Sequence, residues 1–333
     1  MSTKALRGVY ILNAESYDLI YGAPERARIA ELVHVISPAL TAESVQLNPA
    51  VLADVEVIFS GWGCPTFSES LLAAAPGLRA VFYGAGSVKA IVTDAFWERG
   101  ITITSAWGAN AVPVVEYTLA QILFGLKAGW QHVTSLKREH RYVRHPVAGA
   151  FGSTVGLVSL GMIGRMVTER LNTFDVRVIA YDPFVTPEQG AALGVEMTSL
   201  DEVFRRADVV SVHTPWLKET EGLITGAHIA SMKPYSTFIN TSRGAVVRET
   251  EMTHVLQARP DLVAVIDVTH PEPPSPDSPL FTLPNVILTP HIAGSLGAEC
   301  RRMGQYMVGE LERYVLGQPL RYALTRERAA IMA

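Results

Sequence analysis

The sequence predicts an α/β fold of two domains built on parallel sheets. Short runs of β-branched and aromatic residues alternate with longer helical patterns along most of the chain, the arrangement that gives parallel strands covered by helices on both faces. The chain has 333 residues, enough for about two domains at roughly 150 residues each. Hydrophobic residues make up 48% and charged residues 18% of it, a composition that supplies a core and argues against disorder.

In the first third the expected strands are Gly8–Leu12, Val55–Ser60, Leu78–Tyr83 and Ile101–Thr104, each bounded by turn residues or helical segments. A second series comprises Thr154–Val158, Val176–Tyr181, Val209–His213, Thr237–Asn240, Leu262–Ile266 and Val286–Leu288. Six strands with intervening helices suit a dinucleotide-binding sheet. Between the series, Val112–Lys127 reads as a long apolar helix that connects the domains. Gln131–His145 is basic and amphipathic, and reads as a solvated helix and loop in preference to a partner surface. A proline-rich turn covers Pro271–Pro279.

Lys and Arg number 28 against 32 Asp and Glu, a net charge of -4, and no long block of like charge occurs. Nucleic acid is therefore not an expected partner. Cys64 and Cys300 lack paired-ligand spacing, so neither a disulfide framework nor a structural metal site is expected, and a reducing, cytoplasmic setting follows. The apolar run Val9–Leu12 is too short for a signal-peptide core. No apolar stretch is read as reaching the ~18 residues of a membrane span, so no membrane association is expected.

Thr154–Val158 runs into Ser159-Leu160-Gly161-Met162-Ile163-Gly164, and Arg165–Leu171 continues as a helix. This is the strand, tight loop and helix of a dinucleotide fingerprint with Ser159 in the first glycine's place. Gly161 would let backbone approach a pyrophosphate, and Gly164 would let the helix pack close to the strand. Asp182 ends the next strand 18 residues after Gly164, where a carboxylate accepts ribose hydroxyls and repels a 2'-phosphate, favouring NAD over NADP. A second glycine pair, Gly84-Ala85-Gly86, lacks the third glycine; it is either an N–H nest for a small anion or an unremarkable tight turn.

Further along, Arg243 follows the strand Thr237–Asn240, Asp267 ends Leu262–Ile266, Glu272 lies in the proline-rich turn, and His291 follows the last strand. Open α/β sheets place their ligand crevice at these carboxyl ends. An arginine there can grip a carboxylate in a bidentate way, and a histidine can protonate a nascent alkoxide. Each residue alone reads as structural or solvated. Together they suit hydride transfer to a 2-oxo acid.

At these residues the chain resembles the D-isomer-specific 2-hydroxyacid dehydrogenases, among them glyoxylate/hydroxypyruvate reductases and phosphoglycerate dehydrogenases. The likeness rests on Val155–Gly164 with Tyr181-Asp182-Pro183, Val212-His213-Thr214-Pro215, Met232-Lys233-Pro234 through Ile239-Asn240-Thr241-Ser242-Arg243-Gly244, Ile266-Asp267-Val268 with Glu272-Pro273, and Leu288-Thr289-Pro290-His291-Ile292-Ala293-Gly294. It implies Arg243 as the substrate-binding arginine, His291 as the acid/base and Glu272 as its partner. It implies NAD contacts from Ser159, Gly161, Met162, Ile163, Gly164, Asp182, His213, Thr214, Thr241, Ser242, Asp267 and His291, with Asp267 on the nicotinamide carboxamide. Gly84, Ala85, Gly86 and Ser87 match the loop that contacts the substrate carboxylate.

The resemblance further implies two Rossmann-like/flavodoxin-like domains. A substrate domain of residues 1–105 and 294–333 would be interrupted by an NAD domain of residues 106–293. A homodimer joined through Val112–Val147 is also implied. Two departures stand out. Ser159 crowds a glycine turn, and Ser87-Val88-Lys89 replaces the aspartate and polar residue that many members carry there. An NAD-sensing corepressor shares the fold, but the intact Arg243, Glu272 and His291 set favours catalysis. Formate oxidation, also found among relatives, pairs the histidine with glutamine where this chain has Glu272.

Overall fold

The structure is a computed structural model that describes residues 6–332; residues 1–5 and 333 of the expected substrate domain lie outside the described residues. The chain divides into two compact units. One holds the described residues up to Ala111 together with Ser295–Met332, and the other holds Val112–Gly294.

In the first unit the strands are β1 (Leu6–Ile11), β2 (Val33–Val35), β3 (Val57–Ser60), β4 (Ala80–Tyr83) and β5 (Thr102–Ser105). They form one parallel sheet in the order β2-β1-β3-β4-β5, the flavodoxin-like order. Side chains alternate between two cores: Val9 and Ile11 enter one, Tyr10 and Leu12 the other. A sheet buried on both faces reads as continuous apolar runs, which is why these strands are legible without an alternating pattern.

In the second unit the strands are β6 (Thr154–Val158), β7 (Arg177–Tyr181), β8 (Val195–Met197), β9 (Val209–Val212), β10 (Thr237–Asn240), β11 (Val263–Ile266) and β12 (Val286–Leu288). Their order is β12-β11-β10-β9-β6-β7-β8, all parallel. This is the doubly wound dinucleotide-binding order, extended by one strand. Again two cores form: Val155, Leu157 and Val209 point to one, Val158, Val210 and Val212 to the other.

The structure corrects several expectations. The first unit has five strands and the second seven, against four and six expected. The additional ones, β2 and β8, are three-residue edge strands, too short to show a pattern. The connecting helix runs over Trp107–Leu126 rather than Val112–Lys127, with Pro113 inside it; the proline, favoured in a first turn, reads misleadingly as a start. At 20 residues this helix is, among the described residues, the one long and apolar enough to cross a membrane, although half of its apolar window is buried within the protein. Glu116 is its single charged residue, and Tyr117, Thr118 and Gln121 conceal its overall apolarity. The basic stretch that follows is the helix Gly129–Glu139 and a segment without regular structure to residue 150.

Candidate active site

Strand β6 ends in the turn from Ser159 to Gly161, which leads into the helix Met162–Leu171 with Gly161 at its N-cap and Gly164 in its first turn. Ser159 has φ +76, the left-handed region that glycine enters freely and other L-residues enter at a cost. Its hydroxyl lies 2.9 Å from Thr214 Oγ1, which ties the turn to the carboxyl end of β9. The two glycines act differently. A Cβ on Gly164 would lie 2.3 Å from the Ser159 carbonyl oxygen, whereas one on Gly161 would meet nothing within 4 Å.

Gly164 is thus required by packing against the turn, and Gly161 keeps the space in front of the helix clear. The N–H groups of Gly161, Met162 and Ile163 donate to no acceptor among the described residues. Free donors at a helix start are a ready anion site. These residues fit a pyrophosphate.

Asp182, at the end of β7, is half-buried; its Oδ2 accepts from Leu160 N at 2.8 Å and its Oδ1 from Phe184 N at 2.9 Å. A carboxylate with about four acceptor positions retains two for ribose hydroxyls. His213 is 8% exposed and stands 3.2 Å from Ser211 Oγ. Burial pushes its pKa down to about 4, so the ring is neutral at pH 7.

The loop after β10 begins with Asn240, whose Oδ1 accepts from Ser242 N (3.0 Å) and Ser242 Oγ (2.8 Å). Thr241 Oγ1 lies 3.1 Å from Thr118 Oγ1 of the long helix. Arg243 donates one hydrogen bond among the described residues, from Nη1 to the Ser242 carbonyl at 2.6 Å. Burial pulls its pKa down, and the nearby Glu272 charge opposes that shift. A Cβ on Gly244 would fall 2.0 Å from the Thr269 carbonyl carbon, so only glycine lets the Arg243 loop press against the loop that carries Glu272.

Asp267 ends β11 and is 2% exposed. Its Oδ1 accepts from Thr289 Oγ1 (2.6 Å) and Ile292 N (2.8 Å), its Oδ2 from Ala293 N (2.9 Å), and its carbonyl from His291 N (3.0 Å). Its main role in the structure is to hold the His291 loop. Oδ2, with a single partner, still has an acceptor position for an amide.

His291 sits at φ +55, a conformation in which histidine is enriched among non-glycine residues. Its Nδ1 is 2.5 Å from Glu272 Oε1, with both side chains about two-fifths to one-half exposed at 47% and 41%. Ring nitrogen Nε2 has no hydrogen-bond partner among the described residues.

The structure therefore gathers Arg243, Asp267, Glu272 and His291 at the carboxyl ends of β10, β11 and β12, and Ser159, Gly161, Asp182 and Thr214 at those of β6, β7 and β9. Gly84, Ala85, Gly86 and Ser87 belong to the first unit, after β4. There Ser105 Oγ lies 2.8 Å from the Ala85 carbonyl and also contacts that of Gly86, while the N–H groups of Ala85, Gly86 and Ser87 donate to no acceptor among the described residues. That is the nest geometry suited to a small anion. Sequence reading missed Tyr117 and Thr118, although two adjacent hydroxyls interrupting an apolar helix are a visible signal.

Fold and site define a two-unit α/β protein whose second sheet is built to hold a dinucleotide. The family model of the D-isomer specific 2-hydroxyacid dehydrogenase NAD-binding domain matches residues 120–293, and the chain belongs to that family. It is 37% identical over 241 residues to D-3-phosphoglycerate dehydrogenase of Mycobacterium tuberculosis, covering 72% of this chain and 45% of that protein. It is 36% identical over 248 residues to (S)-sulfolactate dehydrogenase of Chromohalobacter salexigens, covering 74% and 80%. The solved structure of D-mandelate dehydrogenase from Rhodotorula graminis superposes with a TM-score of 0.79 at 25% identity, covering 97% of this chain and 98% of that one. The chain spans about half the length of the phosphoglycerate dehydrogenases that it matches.

Proposed function

We propose that the chain interconverts a small 2-hydroxy acid and its 2-oxo acid with NAD(H), using His291 as the acid/base. The observation that carries this reading is the 2.5 Å contact between His291 Nδ1 and Glu272 Oε1, with Arg243 close enough to feel the Glu272 charge. NADH, when bound, supplies the hydride. Arg243 grips the substrate carboxylate and polarises the carbonyl. Glu272 engages Nδ1 and orients the ring, so Nε2 is the nitrogen that protonates the carbonyl oxygen. In oxidation the neutral ring takes the hydroxyl proton. Within the first unit, the free N–H groups of Ala85, Gly86 and Ser87 form a nest suited to a small anion.

A panel of 2-oxo acids including glyoxylate, hydroxypyruvate and pyruvate, assayed with NADH and with NADPH, tests the reading. D-3-phosphoglycerate and (S)-sulfolactate, the compounds in the relatives' names, serve as oxidative substrates. NADH should be preferred, because the Asp182 carboxylate would face the extra phosphate. His291→Ala should lose about a hundred to ten thousand fold in kcat, and Arg243→Lys, which keeps charge without the planar fork, should stay severely impaired while NADH still binds. Full activity in either variant would remove that residue from the mechanism. A homodimer through Val112–Val147 is part of the proposal. Exposed Phe124, Leu136, Tyr142 and Val147 along that stretch suit a covered face, and light scattering measures the mass.

A further inference from the structure

We propose that Tyr117 is a positioning residue for the His291 acid, acting through Thr289 and Asp267; the inference rests on the role of His291 proposed above. Tyr117 and Thr118 are neighbours on the helix Trp107–Leu126, and each reaches a different loop of the same unit. Thr118 Oγ1 meets Thr241 Oγ1 of the loop after β10, and the Tyr117 hydroxyl meets Thr289 Oγ1 of the loop after β12, both at 3.1 Å.

The direction of the Tyr117 bond follows from counting protons. Thr289 has one hydroxyl hydrogen, and it is committed to Asp267 Oδ1 at 2.6 Å. Thr289 Oγ1 must therefore accept from the phenol. A chain of donors results: Tyr117 to Thr289, and Thr289 to the Asp267 carboxylate. That carboxylate also takes the N–H groups of Ile292 and Ala293, and the Asp267 carbonyl takes the N–H of His291.

Asp267 thus grips the loop on both sides of a residue held at φ +55. A left-handed residue without such clamps would relax toward commoner backbone conformations. The ring would then leave its 2.5 Å contact with Glu272. Tyr117 is half-buried, and burial raises its pKa, so it stays a proton donor through neutral pH.

The test compares Tyr117→Phe, Thr289→Val, Thr289→Ser and their double variants with His291→Asn. Three quantities are read: kcat for 2-oxo acid reduction across pH, KM for NADH, and amide exchange of Ile292 and Ala293 in cofactor-free protein. Tyr117→Phe and Thr289→Val should each lower kcat about ten- to a hundredfold, the scale of a small misplacement of a catalytic group, with KM for NADH within about twofold. The pH profile of kcat should also change, and both amides should exchange faster. Adding Tyr117→Phe to Thr289→Val should cost nothing more, because the two act in one chain.

Thr289→Ser, which keeps the hydroxyl, should stay near the unmodified protein; equal loss in the serine and valine variants would overturn the chain even if Tyr117→Phe fails to fold. Unchanged kcat, pH profile and exchange in Tyr117→Phe, beside an inactive His291→Asn, would overturn this inference alone. An active His291→Asn would overturn the proposed function, and the exchange of Ile292 and Ala293 would then decide the Tyr117 chain by itself.

Discussion

Two glycines at the carboxyl edges of the two sheets, Gly84 and Gly161, do opposite things. In the first unit, a Cβ on Gly84 would lie 2.6 Å from Ile20 Cγ2 and 3.1 Å from the Tyr21 hydroxyl, which itself donates to the Ser60 and Phe82 carbonyls. That glycine serves the interior of its own unit. In the second unit, Gly161 faces open space; both turns leave N–H groups free, Ala85, Gly86 and Ser87 in one and Gly161, Met162 and Ile163 in the other, so the difference lies in what the glycine itself meets. The edges differ in charge as well: Arg243, Asp267, Glu272, His291 and the buried His213 belong to the second unit, whereas the titratable groups packed beneath the first edge are the Cys64 thiol, pushed up to about 12 by burial, and the phenols of Tyr21 and Tyr83, pushed up as well. A glycine-rich turn after a strand is therefore no evidence of a cofactor until its surroundings are known.

Acid should separate the two edges most. His213 has a folded pKa of about 4 against an unfolded value near 6.5, so between those values the unfolded chain binds more protons and stability falls as pH drops. The full loss is about 3 kcal/mol, partly offset by Glu249, whose pKa burial raises. Hydrogen exchange at pH 7 and pH 4.5 should show it in the second unit, and His213→Gln should flatten the slope; equal acid loosening of both units would contradict the contrast.

Substituting the two glycines should sharpen the comparison. Gly84→Ala should cost about 1–3 kcal/mol by overpacking and leave NADH affinity unchanged. Gly161→Ala should fold with unaltered stability yet bind NADH at least about tenfold more weakly, the signature of a backbone kept clear for a ligand. Urea denaturation and NADH titration read both. The smallest effect belongs to Ser159→Gly: relief of the left-handed strain, about 1–2 kcal/mol, is set against loss of the Thr214 contact and the added freedom of glycine in the unfolded chain. The net change in stability should stay below about 1 kcal/mol, measured by the same denaturation.

Much of this was legible before any coordinates. Buried parallel strands announce themselves as apolar runs, and Thr154–Val158, Thr237–Asn240 and Val286–Leu288 lie where the sequence puts them. Edge strands Val33–Val35 and Val195–Met197 were not legible, because three residues carry no period. The start of the long helix was hidden by Pro113. Residue types and order alone determined the family, the dinucleotide turn and the identity of the charged groups, since each depends on short contiguous segments with local steric or chemical demands.

Only the tertiary structure decided which of those groups meet. Glu272 and His291 are 19 residues apart in the chain, and no local rule pairs them; the adjacency of β11 and β12 does. The strain at Ser159 and His291, the clamp that Asp267 forms and the reach of Tyr117 to Thr289 all depend on distances between elements distant in sequence. Sequence specifies which donors and acceptors exist, and packing alone settles which of them satisfy one another.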